Sequence, residues 1–492
     1  MSSKKMRLAN FHDGLGPSQL SAYAKIINNE SVFVTGSAGT GKTELLKRVV
    51  DYWNSVEHKF AITASTGIAA INICGKTFHS FMWLRPEDED SDVTAEAIVH
   101  RLANTKFYKF YRNIMINLQS LVIDEISMLG PSILEKASDV LKIVRGCGEL
   151  FGGLQIVFVG DFFQLPPVKG PKFLFEMDFF NRSIQSIETL NEVFRQKDSA
   201  FIQLLGRMRT GSLIEADHCL LESRVGADIS RFGIVPTELW STNKDVDQLN
   251  NDKLAQIKAP IVTYKKYQGM KSPTGFQDTA MDKFIKDMRI PDKVDLKGPV
   301  EDTSGGDNQV GAQNASQVGS HVGAQVMLTY NLNTERGLVN GSRGVIVGFD
   351  TAPDIKCVSS TFFDDYDGYT DKAFVRQVPM PKVRFLCDGQ PVTILVPYVC
   401  ISRKSSMEGL KTKVTCYAWI MPLKLAWATT VHKSQGQSLD CVKATLDKTI
   451  FADGQAYVAV SRARTLEGLT LTAYDRQSVR ANEAVKKFYG LH

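Results

Sequence analysis

The first residues that could do chemistry lie in a glycine-rich segment between two hydrophobic stretches. The segment fits the pattern G-x-x-x-x-G-K-[ST] and reads Gly36-Ser37-Ala38-Gly39-Thr40-Gly41-Lys42-Thr43. Glycines allow main-chain amides to close around phosphate oxygens, and a helix that begins there adds the positive end of its dipole. The segment therefore predicts a P-loop that binds ATP, in which Lys42 contacts the β- and γ-phosphates and Thr43 binds Mg²⁺.

Two carboxylates follow a second hydrophobic run, residues 121–123. Ligands of open α/β sheets bind at the carboxyl ends of the strands, so Asp124 and Glu125 should lie at the same sheet edge as the P-loop. Asp124 is predicted to hold Mg²⁺, and Glu125 is predicted to orient or deprotonate the attacking water. An acidic pair after a strand is often only a solvated turn, and the upstream P-loop favours the catalytic interpretation.

Three further polar residues are candidates for contacts with the γ-phosphate. Gln164 follows a third strand-like run, residues 156–160, and its amide could distinguish ATP from ADP. Arg195 and Arg462 could stabilise the charge that develops during phosphoryl transfer, as an arginine finger does. If Arg462 lay in a second α/β domain, closure of the two domains would complete the site. A surface arginine in an ion pair is the alternative that spacing leaves open.

The elements that must position these residues alternate between strand and helix. Residues 31–35, 60–64, 121–123 and 156–159 are β-branched and apolar, as in buried strands, whereas residues 44–53 carry apolar side chains at helical spacing. Strands that alternate with helices predict an α/β domain with a mostly parallel sheet.

The second half of the chain has a different organisation. A second α/β pattern begins near Pro236 and resumes at Ala426. Between them, residues 301–321 are rich in Gly, Ser, Asn, Asp and Gln, which is typical of a flexible loop. From residue 322 to about residue 415 the pattern predicts short strands separated by turns, as in a small β-rich module.

Composition excludes several classes of protein. The 58 Lys and Arg residues exceed the 53 Asp and Glu residues by only 5, so the chain is neither a strongly basic coating protein nor an acidic tail protein. The 8 cysteines form no C-x-x-C pair, which disfavours a zinc site and fits a reduced compartment. The sequence has no apolar run of the ~18 residues needed to span a bilayer, and its first residues lack a secretory signal. We expect a soluble intracellular protein of the nucleus or cytoplasm that is not secreted and binds no membrane.

Taken together, these segments resemble the superfamily-one helicases, and most closely the Pif (petite-integration-frequency) family of superfamily one B. The similar segments, in chain order, are residues 15–19, 63–70 with 75–81, 124–128, 139–141 with Arg145 and 151–155, Pro236-Thr237 with Asn243 and Asn250, 337–344, and 426–436. They extend from Leu15 to Leu471 in the order of the family. Leu150 departs from the pattern, because the family usually has proline there.

The resemblance implies an α/β fold with two RecA-like parallel-sheet motor domains, a small inserted wedge subdomain and an SH3-like β-barrel insertion. The implied boundaries are residues 1–230 for the first motor domain, 82–118 for the wedge within it, 231–321 and 418–492 for the second motor domain, and 322–417 for the SH3-like insertion.

The resemblance also implies an ATP-dependent DNA helicase that requires Mg²⁺. Such an enzyme moves 5′ to 3′ on single-stranded DNA and unwinds tailed duplexes and structured DNA, including G-quadruplexes. It would serve DNA replication, repair or recombination, and we expect it to act as a monomer. The sequence does not identify protein partners or decide whether RNA is also a track.

The similar motifs also imply residues that contact the nucleotide base and the DNA. Gln19 is expected to read the adenine. The expected DNA contacts are Thr66, Gly67, His79, Ser80, Phe81, Phe162, His432 and Ser434. Amides and small polar side chains would bind phosphates, and the aromatic rings would stack on bases. For each aromatic ring, core packing is the alternative.

Two other functions remain open from the sequence. A DNA-stimulated ATPase that translocates without opening a duplex would carry the same motor motifs. A nucleic-acid-binding module that no longer hydrolyses ATP is the second alternative, and the intact set of predicted catalytic residues disfavours it. That set is Lys42, Glu125, Gln164, Arg195 and Arg462.

Overall fold

The structure is a computed structural model. It describes residues 11–85, 88–89, 92–104, 108–167, 172–229, 236–240, 242–271, 291–298, 323–330, 332–333, 336, 338, 341–350, 379–387, 390–406 and 413–491. The chain divides into two compact units. The first comprises Met1–Ala227, Val431–Asp440 and Ala444–His492, and the second comprises Asp228–Thr430 and Cys441–Lys443.

Helices and strands alternate along the first part of the chain, and strands dominate its middle. The helices are α1 (Pro17–Ile27), α2 (Lys42–Ser55), α3 (Gly67–Asn72), α4 (Phe78–Met82), α5 (Ala95–Ala103), α6 (Tyr108–Asn117), α7 (Pro131–Arg145), α8 (Asp178–Ser183), α9 (Ser199–Thr210), α10 (Glu215–Glu222), α11 (Asn243–Gln256), α12 (Val431–Ser434), α13 (Gln455–Val460) and α14 (Glu483–Phe488). The strands are β1 (Val32–Gly36), β2 (Phe60–Ala64), β3 (Lys76–Thr77), β4 (Ser120–Asp124), β5 (Gln155–Gly160), β6 (Ser186–Leu190), β7 (Thr237–Trp240), β8 (Val262–Lys265), β9 (Tyr267–Lys271), β10 (Lys293–Leu296), β11 (Gln325–Leu328), β12 (Arg343–Asp350), β13 (Met380–Cys387), β14 (Gln390–Leu395), β15 (Val399–Ser406), β16 (Lys413–Ile420), β17 (Leu423–Leu425), β18 (Ala428–Thr430), β19 (Val442–Leu446) and β20 (Leu469–Tyr474).

The first unit contains a six-stranded sheet with the order β3-β2-β4-β5-β1-β6. Every neighbouring pair is parallel, with registers such as Val34 opposite Val159. Strands β1, β4 and β5 are buried along their whole length, which explains their continuous runs of β-branched residues. The prediction of an α/β domain with a parallel sheet is confirmed, and each of the four predicted strands is present.

Helix α2 follows β1 directly and packs one face against the sheet. Its buried residues are Leu45, Leu46, Val49 and Trp53, which recur at helical spacing as the sequence predicts. The helix begins at Lys42, so its first turn belongs to the predicted P-loop. Packing of the apolar face thus fixes the position of the P-loop relative to β1.

The end of the chain returns to the first unit and completes its aromatic core. The ring of Phe488, in α14, lies 4.5 Å from that of Phe175 and 6.4 Å from that of Phe33, measured between centroids. The neighbouring Tyr489 hydroxyl lies 2.7 Å from Oγ1 of Thr35 on β1. Residues about 450 positions apart in sequence therefore share one core.

The second unit contains the strands predicted between residues 322 and 415. A five-stranded antiparallel sheet has the order β14-β13-β12-β11-β17, and a three-stranded antiparallel sheet has the order β15-β16-β9. The pairing of β12 with β13 shifts register between Ile346 and Gly348. Strands β7 and β18 pair in parallel, and α11 packs against both. The fold is thus α/β with additional antiparallel sheets.

The predicted domain boundaries differ from the division into compact units. The sequence groups residues 418–492 with residues 231–321, whereas residues 431–440 and 444–492 belong to the same compact unit as the first 227 residues. The boundaries of the motor domains, wedge and SH3-like insertion stay a prediction. The low-complexity segment, residues 301–321, lies outside the described residues. Among the described helices, none is long and apolar enough to cross a membrane.

Candidate active site

The predicted chemical residues meet at one edge of the six-stranded sheet. Strands β4, β5 and β1 are neighbours and run in parallel, so their carboxyl ends share that edge. Asp124 ends β4, Asp161 follows β5, and Gly36 ends β1 and begins the P-loop. The predicted convergence of three strand ends is therefore present in the fold.

Two P-loop glycines stand where no other residue would fit. Gly39 has a φ of +88°, and a Cβ there would lie 2.7 Å from Cβ of Arg195. Gly41 has a φ of +75°, and a Cβ there would lie 2.4 Å from Nε2 of Gln19. Both residues occupy the left-handed region, which favours glycine. The P-loop thus packs directly against two segments that carry predicted nucleotide contacts.

Lys42 lies beside the P-loop main chain and near three carboxylates. Its Nζ donates hydrogen bonds to the carbonyl oxygens of Gly36 and Ser37, at 2.7 and 3.0 Å. Burial lowers the pKa of the Lys42 ammonium, while nearby carboxylates, Asp161 first among them, oppose that lowering. The ammonium is therefore held inside the loop that would surround the phosphates.

Gln19 is buried and holds α1 to the P-loop. Its Nε2 donates to the carbonyl oxygens of Thr40 and Gly41, both at 3.2 Å, and its Oε1 accepts from the Gly16 amide at 2.9 Å. The Thr40 hydroxyl in turn donates to the Ser37 carbonyl at 2.9 Å. Because the Gln19 amide is already used by the main chain, its predicted contact with adenine stays a prediction.

Asp124 and Glu125 lie side by side in a buried site, and the main chain between them is unusual. Glu125 has a φ of +52°, and its amide donates to Oδ1 of Asp124 at 2.9 Å. Burial, together with the nearby charge of Glu125, raises the pKa of Asp124 to about 7. Positive φ in a non-glycine residue is costly and is concentrated at functional sites.

The oxygen atoms of Asp124 and Thr43 fit the chemistry of Mg²⁺. This ion prefers oxygen ligands, keeps several waters, and in nucleotide sites takes only one or two protein ligands besides phosphates. Thr43 lies in the first turn of α2, and Asp124 ends the strand next to β5. No group of three or more His, Cys, Asp or Glu in the described part of the chain could hold a metal ion by itself.

Arg195 and Arg462 approach each other and the acidic pair. Arg195 Nη1 donates to the carbonyl of Ser461 at 3.2 Å, while Arg462 Nη2 donates to the hydroxyl of the same residue at 2.9 Å. Burial, with the nearby charge of Arg462, lowers the pKa of Arg195 to about 9. Burial also lowers the pKa of Arg462, and the charge of Glu125 opposes both changes. Both arginines lie in the same compact unit as the P-loop.

Gln164 lies in the turn after β5, next to a buried ion pair. The main-chain amide of Gln164 donates to the Asp161 carbonyl at 3.0 Å, and the Gln164 side chain is buried. The Asp161 carboxylate accepts two bonds from Arg209, at 2.9 and 2.7 Å. Burial alone would lower the pKa of Arg209. The charge and hydrogen bonds of Asp161 outweigh that effect and raise the pKa above its usual value. The guanidinium also lies over the rings of Phe163 and Tyr489, 4.5 and 5.2 Å from their centroids.

Replacing Arg209 by alanine should destabilise the first unit by about 3–5 kcal/mol, because it leaves the Asp161 carboxylate buried and unpaired. The urea midpoint of unfolding measures this loss. Arg182→Ala is the matched control, since Arg182 and its partner Asp178 are 66% and 82% exposed and such pairs contribute about 0–1 kcal/mol. Equal midpoints for the two variants would contradict the structural role of Arg209.

Two residues near the P-loop have no role predicted from the sequence. The Tyr457 hydroxyl accepts a hydrogen bond from the Ala38 amide at 2.7 Å, and burial raises its pKa to about 12. The ring of Phe194 is 52% exposed and lies beside Gly41, and its amide donates to the Gly39 carbonyl at 2.8 Å. Their proximity in sequence to Arg462 and Arg195 was the only available signal.

Four predicted DNA contacts lie on or near the surface after β2 and β3. The Ser65 amide donates to the Asp124 carbonyl at 3.1 Å, so the Thr66 segment leaves the sheet beside the acidic pair. A Cβ at Gly67 would meet nothing within 4 Å, and Ser80 is exposed. His79 lies in the same short helix, α4, and is half-buried.

Three other predicted DNA contacts are buried or partly buried. Phe162 is 2% exposed and packs against Phe33, with ring centroids 5.2 Å apart, so it cannot stack on a base in this arrangement. Ser434 is fully buried, and its hydroxyl donates to the Val431 carbonyl at 2.7 Å. Phe81 is partly buried against the same core as Phe162. Core packing, the alternative for each aromatic, describes Phe162, and neither its ring nor the Ser434 hydroxyl is exposed in this arrangement.

His432 is the predicted DNA contact with an exposed aromatic neighbour. Its ring lies 6.4 Å from that of Phe451, and the planes differ by 18°. Phe451 is 63% exposed, more than any other large hydrophobic residue in the described part of the chain. Burial lowers the pKa of His432. No motif pointed to Phe451, because the pairing depends on the fold.

Comparison with known proteins agrees with this arrangement. The family profile described as "PIF1-like helicase" matches residues 15–218, and the one described as "DNA helicase Pif1, 2B domain" matches residues 320–349. A rat protein named "ATP-dependent DNA helicase PIF1" is 33% identical over 495 residues, which cover 99% of this chain and 65% of the rat protein. The chain spans slightly less than two thirds of the length of the curated relatives from rat, zebrafish and human.

Solved structures cover nearly the whole chain. The crystal structure of Pif1 helicase from Candida albicans has a TM-score of 0.69 and 30% identity, and the match covers 97% of this chain and 99% of that one. This chain belongs to the Pif1 helicase family. A Bacteroides Pif1 structure in complex with ADP-AlF3 and single-stranded DNA has a TM-score of 0.60 and 25% identity, covering 97% and 96% of the two chains. The fold predicted from the resemblance to this family is confirmed.

Proposed function

We propose that this member of the Pif1 family is an ATP-dependent DNA helicase that moves 5′ to 3′ on single-stranded DNA. The observation that carries the proposal is the convergence of the P-loop, the acidic pair and two buried arginines within one compact unit. The residues concerned are Lys42, Asp124, Glu125, Arg195 and Arg462. This is the set that phosphoryl transfer to water requires.

Each residue has a distinct task in the proposed hydrolysis. The P-loop amides and Lys42 would hold the β- and γ-phosphates, and Glu125 would orient and deprotonate the attacking water. Arg195 and Arg462 would stabilise the charge that develops on the transferred phosphoryl group. Thr43 and Asp124 would hold Mg²⁺, which would neutralise negative charge on the phosphates.

Phe194 and Gln164 complete the proposed nucleotide site. The exposed ring of Phe194 lies beside Gly41 at the end of the P-loop, where an aromatic face could pack on the adenine. Gln164 follows Asp161 at the sheet edge, which supports its proposed contact with the γ-phosphate. Gln19 supports the P-loop from the other side through its main-chain bonds.

The proposed DNA track uses the surface residues of the same unit. Thr66, Gly67, His79 and Ser80 would contact phosphates, which makes binding independent of sequence and sensitive to salt. The His432 and Phe451 pair would provide a face for a base in place of Phe162. One related structure is of Bacteroides Pif1 with ADP-AlF3 and single-stranded DNA, and another concerns DNA unwinding at forked duplex DNA by Pif1 helicases, which supports DNA as the track.

Further parts of the proposal concern substrates and setting. Tailed duplexes and G-quadruplexes are the proposed substrates, and replication, repair or recombination is the proposed context. Action as a monomer and a nuclear or cytoplasmic location belong to the same proposal. The proposal also includes the predicted domain organisation. The two motor domains are residues 1–230 and residues 231–321 with 418–492, the wedge is residues 82–118, and the SH3-like insertion is residues 322–417.

Strand separation on two matched duplexes tests the activity and its direction. One duplex carries a 5′ single-stranded tail and the other a 3′ tail, and both are incubated with protein, ATP and Mg²⁺. We expect opening of the 5′-tailed duplex only, and no opening by Lys42→Ala. ATP consumption without opening would identify a translocase instead. Absence of DNA-stimulated hydrolysis would identify a binding module, and a preference for the 3′ tail would contradict the proposed direction.

A further inference from the structure

A short segment, residues 431–437, has one face toward solvent and one toward the catalytic residues. His432, Lys433 and Gly436 lie at or near the surface, whereas Gln435 and Gln437 are 4% and 7% exposed. The segment contains α12 and lies in the same compact unit as the P-loop. It therefore connects the proposed DNA surface with the interior of the nucleotide site.

Gln435 makes the direct link to the acidic pair. Its Nε2 donates a hydrogen bond of 2.9 Å to Oε2 of Glu125, 310 residues earlier in the chain. Both side chains are buried, and a carboxylate can only accept, so the amide must present its nitrogen. A hydrogen bond between an amide and a buried carboxylate fixes the orientation of the carboxylate strongly.

The main chain of the same segment binds the second proposed catalytic group. Arg462 Nη1 donates to the carbonyl oxygens of Ser434 and Gln437, at 3.4 and 3.3 Å. The main-chain amide of Gln435 donates to the His432 carbonyl at 3.3 Å, so the buried and exposed residues belong to one turn. A shift of this turn would thus be transmitted to both Glu125 and Arg462.

We propose that Gln435 is a positioning residue that couples DNA contact at the 431–437 segment to the orientation of the Glu125 carboxylate. The inference rests on the proposed helicase function and explains how its two sites communicate. DNA phosphates that bind the exposed side of the turn would fix the position of its buried side. Gln435 would then hold the Glu125 carboxylate in line with the attacking water. Coupling of this kind requires a physical connection between the two sites, and the 2.9 Å bond provides it.

Substitution of Gln435 by methionine tests the inference with little change in volume. Gln435→Met removes the donor, so we expect kcat for ATP hydrolysis with saturating single-stranded DNA to fall about tenfold. KM for ATP and the affinity for single-stranded DNA should change less than twofold, since the Gln435 side chain is buried and donates to Glu125. Gln437→Met is the matched control, because Gln437 is buried in the same segment and offers Arg462 only its carbonyl. That control should retain nearly full activity.

A double-mutant cycle separates positioning of Glu125 from a general effect on the fold. In a Glu125→Gln background, single-turnover hydrolysis should fall no further when Gln435→Met is added, because the group that it positions is already lost. Gln435→Ala serves as a second variant, and thermal melting reports the fold of each protein.

The outcomes distinguish this inference from the function on which it rests. Wild-type hydrolysis stimulated by DNA, together with full activity of Gln435→Met, would overturn the inference alone. An additive loss in the Glu125→Gln background would do the same. A wild-type protein that shows no DNA-stimulated hydrolysis would overturn both the inference and the proposed function.

Discussion

Lys42→Ala is expected to lower kcat for ATP hydrolysis by about 10²- to 10³-fold and to abolish strand separation. The Lys42 ammonium lies inside the P-loop, where its Nζ is 2.7 Å from the Gly36 carbonyl oxygen. A fixed positive charge at the phosphates stabilises the transition state more than the bound substrate, and loss of one such group typically has an effect of this size. Steady-state hydrolysis with single-stranded DNA, measured beside thermal melting, gives the comparison.

Lys47→Ala provides the control for the same helix. Lys47 lies on the exposed face of α2, 59% exposed, and pairs loosely with Glu44 at 3.9 Å. Its replacement removes the same charge at a distance from the phosphates, so activity should stay within twofold of the wild type. Equal activity of Lys42→Ala and Lys47→Ala would show that the P-loop lysine has no catalytic role.

Arg462→Ala is expected to lower kcat for hydrolysis by about 10³-fold or more, with ATP affinity changed only a few-fold. An arginine finger acts on charge that develops during phosphoryl transfer, so its loss affects the transition state and hardly affects the bound nucleotide. Binding of a fluorescent ATP analogue and single-turnover hydrolysis measure the two quantities separately. A parallel loss of both would assign Arg462 to binding.

The burial of Arg462 calls for two companion variants. It is 1% exposed and donates to the Val458 carbonyl at 2.9 Å, so alanine could also loosen the fold. Arg462→Lys keeps the charge but loses the planar fork of donors, and should lose most of the activity with less effect on melting. Arg464→Ala is the external control, since Arg464 is 41% exposed and pairs with Asp440 at 3.4 Å. It should retain nearly full activity.

Local patterns predicted the sheet and the P-loop because their causes are local. Strands β1, β4 and β5 are buried on both faces, so their central positions form continuous apolar and β-branched runs. Asp124 and Gly36 end parallel strands that lie on either side of β5, and the rule for ligand sites in such sheets then places them at the same edge. The pattern of short strands and turns predicted the β-rich module, and the resemblance to the Pif family added the order of the motifs.

Properties that depend on long-range packing could not be predicted in the same way. An aromatic residue after a strand has the same sequence signature whether it faces DNA or the core, and Phe162 joins a core completed by Phe488. Gln435 meets Glu125 only because α12 returns to the first unit, 310 residues later. For the same reason the predicted grouping of residues 418–492 with residues 231–321 differs from the division into compact units.

The return of the chain end to the first unit has a consequence for biosynthesis. Phe33 is synthesised early, yet its neighbour Phe488 emerges only about 450 residues later. At about 5–20 residues per second, the ribosome needs roughly 20–90 s to deliver it. Throughout that interval the aromatic face of the nascent sheet is incomplete and offers a binding site for a chaperone. The aromatic core of the first unit is therefore complete only after Phe488 has left the ribosome.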